Sequence, residues 1–331
     1  MLHSLRIGII LIISFITAQT ALAQYSPRID SLMTEAARLR DLQLYDNAVA
    51  IYLTLPTEAA QYELAATYYT MGKTTLALSL CREIEEQQGL MADKASLLMA
   101  RCRDDQGYDA AAKRIYKRLI DKQNPDAAYY YALMLYRGGH VAETTELLMK
   151  ALRWDNSLAD AHLLLSEIMT NQGERFKAMM PLYYFLLIAS DETQRLRAYD
   201  RLIALWRHSA KAIDILHINR PSHDAFNDRT DKMIEQWATT DSISVVDGSE
   251  QIERLLIQTN RLFCYLLDTS ETNLDFWQLT YTDFFVTLVP RNFVAPYVYF
   301  ISDVRHHAAV LDWIGREEAL FAEFMLWMSA Q

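Results

Sequence analysis

Apolar and small side chains recur at spacings of three and four residues over the first two thirds of the chain, with polar side chains between them. Tyr62, Ala65, Ala66 and Tyr69 show the spacing. This pattern predicts amphipathic helices that turn one face to a core. The small residues that mark these stretches recur at intervals of 29, 35, 32 and 34 residues; they are Ala36, Ala65, Ala100, Ala132 and Ser166. Intervals of that length indicate that one supersecondary unit is repeated.

A second small residue follows each of the first five by twelve positions, at Ala48, Ala77, Ala112, Thr144 and Ala178. A turn signal separates the two residues of each pair, in Gln43–Asp46, Met71–Lys73, Gln106–Asp109, Gly138–His140 and Gln172–Glu174. Two helices joined by a tight turn explain both features. Small residues let the helices approach at their crossing, and a glycine accepts the positive φ that ends the first helix. We therefore predict five helical hairpins, with second helices such as those over 108–121 and 141–154.

Three segments carry a resemblance to a known family. Tyr45–Ala48 and Gly107–Ala111 resemble the turn of the tetratricopeptide repeat, and Ala151–Asn156 resembles the end of its second helix. The resemblance covers roughly residues 28–189, although the aromatic residue and glycine usual early in the first helix are mostly missing. It implies an all-α fold, a right-handed α-α superhelix or solenoid. In that family the first helices line a concave groove that binds extended peptides or partner helices.

After Ala189 the period fades, but helical patterns continue. We predict helices over 191–210, 227–237, 249–267, 271–288, 305–314 and 317–328, and a short helix or extended piece over 294–304 that Pro296 interrupts. Aromatic residues crowd this end of the chain and allow two interpretations, a binding platform or a core that seals the end of the solenoid. Open repeat arrays require caps, which favours the second. The predicted array therefore spans 24–210 and the helical C-terminal cap 211–331.

The chain begins with the features of a secretory signal peptide. An apolar run, Ile7–Ile16, follows His3 and Arg6 and precedes the small-x-small site Ala21–Ala23. We predict a signal peptide over 1–23 and a mature chain from Gln24. The alternative is an uncleaved anchor, for which the run is short. No later segment is long and apolar enough to span a membrane, so we predict an exported protein, periplasmic in a Gram-negative cell, with secretion beyond the outer membrane as the alternative.

Composition narrows the function classes. The chain has 331 residues with only 9 Gly and 7 Pro, which argues against a β-sandwich or barrel, and a net charge of -10, which argues against nucleic-acid binding. Three cysteines cannot all pair within one chain. Cys81 and Cys102 lie on successive predicted helices, and both a disulfide and two buried thiols remain open.

Candidate chemistry is sparse. Two groups of histidines and acids suggest a metal or acid-base site, but adjacent histidines on a helix point about 100° apart and chelate one ion poorly. These groups are His217, His223, Asp224 and Asp228, and Asp303, His306 and His307. We predict no catalytic residue, no metal site and no cofactor.

The resemblance places five candidate binding residues in the groove: Tyr62, Tyr69, Arg101, Tyr129 and Tyr136. Tyrosine offers contact area with a hydrogen-bonding tip, and arginine recognises carboxylates in a bidentate manner. The family's clamp for acidic C-termini needs Lys and Asn at several of these positions, and they are absent. The sequence thus predicts a non-catalytic scaffold that binds a peptide or protein segment. The alternatives are tyrosines that only pack between helices, a purely architectural envelope protein, or an envelope enzyme or small-ligand-binding protein with its site in the aromatic C-terminal region.

Overall fold

The computed structural model describes residues 27–207, 225–240, 248–269 and 275–330, and in these ranges it contains helices and turns and no strand. Contacts divide the chain into two compact units, Met1–Gln123 and Asn124–Gln331, here called unit 1 and unit 2. The predicted signal peptide lies outside the described residues. So does the predicted boundary at residue 210, and both remain predictions.

In its described residues, 27–123, unit 1 forms three consecutive helical hairpins. A helix over 27–41 (α1) opens it, and its other helices are α2 (Tyr45–Tyr52), α3 (Glu58–Thr70), α4 (Thr74–Gln87), α5 (Ala92–Asp105) and α6 (Asp109–Ile120). Helices α3 and α4 pack together, as do α5 and α6, and α3 also contacts α5. Thr57 caps α3, since its hydroxyl accepts a hydrogen bond from the Ala60 amide at 3.1 Å.

Unit 2 continues the hairpins and then adds further helices. It contains α7 (Pro125–Arg137), α8 (Val141–Trp154), α9 (Ala159–Asn171), α10 (Arg175–Ile188), α11 (Glu192–Arg207), α12 (Ala225–Thr240), α13 (Gly248–Thr269), α14 (Asp283–Val286), α15 (Val294–Ser302), α16 (Ala308–Arg316) and α17 (Glu318–Met328). Helices α7 and α8 form one hairpin and α9 and α10 the next. The all-α, tetratricopeptide-like hairpin fold is therefore confirmed.

All five hairpin turns have the same backbone geometry. A residue with positive φ ends each first helix, and the amide of the next residue donates a hydrogen bond to the carbonyl five positions earlier, as in Tyr108 to Arg103 at 2.8 Å. This is the Schellman motif, which favours glycine at the left-handed position. Gly107 holds that position with φ of 76°. In the first hairpin Gln43 takes its place with φ of 62°.

The ten small residues of the repeat lie at the helix crossings, as the spacing predicted. Every one of them has 0% exposed surface. Ser166 shows how close the helices come, because its hydroxyl donates to the carbonyl of Ala178 on the partner helix at 2.8 Å. A larger side chain at either position would hold the two backbones apart.

Three predictions in the C-terminal part need correction. The segment over 271–288 is not a regular α-helix in its described residues, since the helix over 276–286 contains a π-helical turn (Gln278–Thr282) before the short α14. Pro296 does not interrupt its segment but lies in the first turn of α15, where a missing amide proton is tolerated. Helix α16 begins at Ala308 rather than Arg305, because His306 adopts a left-handed conformation with φ of 46° and His307 caps the helix.

The core of unit 2 joins the hairpins to the C-terminal helices. Tyr183 on α10 packs against Phe263, Phe285 and Tyr297 from three later helices, with ring centroids 5.5 to 6.1 Å apart. Its hydroxyl lies 2.7 Å from the Thr259 hydroxyl and accepts a hydrogen bond from the Trp206 indole at 3.0 Å. Aromatic residues of the C-terminal region thus form a core with the repeats.

Candidate binding surfaces on the first helices

In unit 1, three of the five candidate residues lie on neighbouring first helices and are each half-buried. The guanidinium of Arg101 lies 4.8 Å from the ring centroid of Tyr69, and the Tyr69 hydroxyl donates to the Asp105 carboxylate at 2.5 Å. The Lys94 ammonium lies 5.9 Å from the ring of Tyr62. The structure therefore brings Tyr69 and Arg101 into direct contact, and places a cation beside Tyr62.

Burial and then the hydrogen bond to Asp105 raise the pKa of Tyr69 to about 12. Both causes favour the neutral phenol, which keeps its proton and donates it to the carboxylate. The Tyr69 ring is consequently fixed from two sides, by a cation on its face and an acceptor at its tip.

Polar contacts join successive first helices of unit 1. Arg40 on α1 forms an ion pair with Glu63 on α3, and Tyr69 on α3 bonds to Asp105 on α5. We call the face of α3 and α5 that carries Tyr62, Tyr69 and Arg101 the first-helix surface of unit 1. On this surface Tyr69 contacts both Arg101 and Asp105, and Tyr62 lies beside Lys94.

Unit 2 repeats the arrangement with other residues. The Tyr136 hydroxyl on α7 donates to Glu167 on α9 at 3.0 Å, and Glu167 lies 3.9 Å from Arg201 on α11. Tyr129 packs edge-on against Tyr130 with centroids 5.1 Å apart, and its ring contacts the core. Tyr129 and Tyr136 therefore pack between helices and are also partly exposed, and their role in binding stays a prediction.

Sequence reasoning missed Asp105, the acid that accepts the hydrogen bond from Tyr69. Asp105 follows the small residue Ala100 by five positions and is not among the five residues that the resemblance places in the groove. The contact joins a tyrosine four residues after the small residue of one hairpin to an acid five residues after the small residue of the next hairpin. That combination is the sequence signal that would have found it.

The candidate histidines have structural contacts. His306 pairs with Glu192, and the His307 ring accepts a hydrogen bond from the Ala309 amide at 3.2 Å. His217, His223 and Asp224 lie outside the described residues. Within the part of the chain that the structure describes, no group of three or more His, Cys, Asp or Glu side chains is placed to hold a metal ion.

The C-terminal aromatic residues are largely interior. Phe293 is 3% exposed, and Tyr297 and Phe324 are fully buried. Tyr299 and Trp313 stack with centroids 4.3 Å apart. These contacts favour the packing interpretation over a binding platform.

None of the helices in the described ranges is long and apolar enough to cross a membrane.

Comparison with known proteins gives likenesses among solved structures. No family model and no curated protein matches the chain. Among solved structures it is similar to the TPR domain of P58(IPK), with 14% identity over 89% of this chain and 98% of that chain and a TM-score of 0.25. At that score the likeness carries no weight, so the assignment depends on the hairpins, the Schellman turns and the buried small residues. These features define an all-α protein of the tetratricopeptide-like repeat class, an architecture typical of protein-interaction scaffolds.

Proposed function

We propose that the protein is an exported, non-catalytic scaffold that binds a peptide or an extended segment of a partner protein on its first-helix surfaces. The arrangement around Tyr69 carries this proposal. Its ring lies against the Arg101 guanidinium, and its hydroxyl is held by Asp105. A side chain that is ordered before binding loses little conformational entropy on binding, so its contact area contributes more fully to affinity.

The chemistry of this surface suits a peptide backbone with occasional carboxylates. Arg101 has donors for a carboxylate or a carbonyl, and Tyr62 and Tyr69 offer flat apolar faces beside it. The same residue types, Tyr and Arg, dominate the energetically important positions of protein interfaces. A small-molecule ligand would require an enclosing cleft or cavity, which a half-buried surface of this kind does not supply.

Affinity capture with a matched variant tests the proposal. The chain from Gln24 onward is used as bait in envelope extract, beside Tyr62→Ala/Arg101→Ala and a control that loses the same residue types elsewhere in unit 1, Tyr45→Ala/Arg38→Ala. We expect a partner that the wild type and the control capture and the first-helix variant loses. Equal capture by all three baits, each with unchanged circular dichroism, would contradict binding on this surface.

A second experiment tests export separately. The full chain is expressed in a Gram-negative cell, and the periplasmic fraction is probed by mass spectrometry of the N-terminus. A mature protein that begins at Gln24 is expected, because Ala21 and Ala23 form the small-x-small site. Retention of the whole chain in the cytoplasm would refute export and leave the scaffold proposal standing.

A further inference from the structure

A pocket of about 480 Å³ opens on the second helices of unit 1. Its walls come from α4 and α6, and two residues of α5 lie between them. None of the residues of the first-helix surface lines it. It is therefore a separate feature from the surface proposed above.

The charged residues of the pocket are four arginines and one glutamate: Arg82, Glu85, Arg103, Arg114 and Arg118. The Arg118 guanidinium donates to Glu85 at 2.5 Å, and the Ser96 hydroxyl donates to the same carboxylate at 2.7 Å. Burial raises the pKa of Glu85, but these hydrogen bonds outweigh it and the net pKa is lowered. Glu85 is thus a charged carboxylate that Arg118 already neutralises.

The other three arginines have no such neutralisation. Among the residues that the structure describes, no carboxylate pairs with Arg82, Arg103 or Arg114. The Arg103 guanidinium lies 5.5 Å from the ring of Tyr108 and 3.4 Å from the neutral Gln106 side chain. A chain with a net charge of -10 therefore concentrates uncompensated positive charge at this pocket. Such a concavity attracts anionic groups by its local potential.

The floor and rim of the pocket are apolar. Met99 is 7% exposed at the floor, and Ile115 beside it is half-buried. Tyr108 at the rim is 57% exposed. Methionine, tyrosine and arginine are the residue types enriched in the cores of protein interfaces. An inorganic anion would satisfy the arginines alone, whereas a peptide with an apolar side chain between acids would satisfy both the arginines and the floor.

We propose that this pocket binds an acidic segment of a partner protein, with carboxylates on Arg82, Arg103 and Arg114 and one apolar side chain against Met99. The arginine fork matches a carboxylate in a bidentate manner, which a lysine at the same place would not do. The proposal is independent of binding on the first-helix surface, because the two sets of residues do not overlap.

The test measures fluorescence anisotropy of a fluorescein-labelled seven-residue peptide that has leucine at its centre and glutamate or aspartate elsewhere. The protein is the chain from Gln24 onward. We expect saturable binding that weakens as sodium chloride rises, since exposed charges are screened. Arg82→Gln/Arg114→Gln should weaken binding at least tenfold, which is about 1.4 kcal/mol. Lys113→Gln/Lys117→Gln removes the same charge from α6 outside the pocket and should bind within about twofold of wild type.

Several results would overturn the proposal. These are no saturable binding by the wild type, equal weakening in the arginine and lysine variants, or unchanged binding when the central leucine becomes serine. Displacement of the peptide by equimolar inorganic phosphate would assign the pocket to a small anion instead. Tyr62→Ala/Arg101→Ala should bind the acidic peptide like wild type, so failure of the first-helix surface and failure of this pocket are distinguishable. Circular dichroism checks that every variant is folded.

Discussion

Lowering the pH from 7 to 5 is expected to destabilise unit 2. The reason is that the His162 imidazole is buried in its neutral form, and burial opposes its protonation. His162 has no exposed surface. Its Nε2 lies 2.9 Å from the Asn156 carbonyl oxygen, which only accepts, so Nε2 carries the proton. Its Nδ1 lies 2.8 Å from the Tyr281 hydroxyl and accepts from it. Both ring nitrogens are therefore satisfied only in this tautomer.

The magnitude follows from the pKa. Burial lowers the pKa of His162 from 6.5 to about 4, against the hydrogen bond to Asn156 and the charge of Asp155. Between these two values the unfolded chain binds a proton that the folded chain does not, so stability falls as the pH falls. At pH 5 the loss is about 2 kcal/mol relative to pH 7, and below pH 4 it reaches about 3 kcal/mol.

The assay is urea unfolding followed by tryptophan fluorescence at several pH values. This signal reports on unit 2, because all six tryptophans follow residue 123: Trp154, Trp206, Trp237, Trp277, Trp313 and Trp327. The reference is His162→Gln, which keeps one donor and one acceptor but does not titrate. We expect the free energy of unfolding to fall with acidification about 2 kcal/mol more in wild type than in the variant.

Asp231 titrates with the opposite sign, since burial raises its pKa to about 6, and its contribution to stability is lost as the pH rises through that value. Because both proteins contain Asp231, its effect cancels in the comparison. An equal pH dependence in wild type and His162→Gln would refute the reasoning about the buried imidazole.

Three further predictions concern stability, each measured by urea unfolding with circular dichroism. Gln43→Gly should stabilise the chain by about 1 kcal/mol because it removes a side chain from a left-handed position, and no change would contradict a strained Schellman turn. Ala100→Leu should cost about 1–3 kcal/mol by forcing α5 and α6 apart, whereas Ala110→Leu at an exposed position should change little. Tyr183→Phe should cost about 1–3 kcal/mol, since it leaves the Trp206 indole without its acceptor. Tyr52→Phe should be neutral or stabilising, because the Tyr52 hydroxyl is buried without a hydrogen bond in the described structure. Equal costs for the two substitutions would refute the distinction.

The hairpins could be predicted from sequence because their determinants are local and repeated. A small residue, a turn and a second small residue specify each crossing within twelve positions. The first turn was predicted although Gln43 replaces glycine, since its place in the period located it. The residues of the first-helix surface came from the resemblance to the repeat family, applied in the same register, and Tyr69 and Arg101 do lie in contact.

Other features depend on contacts that no local pattern contains. The π-helical turn at Gln278–Thr282 contains Tyr281, whose hydroxyl forms a hydrogen bond with His162, 119 positions earlier in the chain. The arginine pocket was missed for a similar reason. Arg82, Arg103 and Arg114 belong to three helices. In the sequence each has the pattern of an ordinary solvated charge, and only the packing of the helices places the three in one pocket.

The two buried cysteines of unit 1 have a practical consequence. Cys81 and Cys102 are free and fully buried, and burial raises the pKa of their thiols to about 12 and about 11. Since the thiolate is the reactive form, an alkylating reagent should modify only the half-buried Cys264 in the native protein. Alkylation of Cys81 and Cys102 then reports when unit 1 opens, and tryptophan fluorescence reports when unit 2 opens. The unfolding of the two units can therefore be followed separately in one sample, unit 1 by its thiols and unit 2 by its tryptophans.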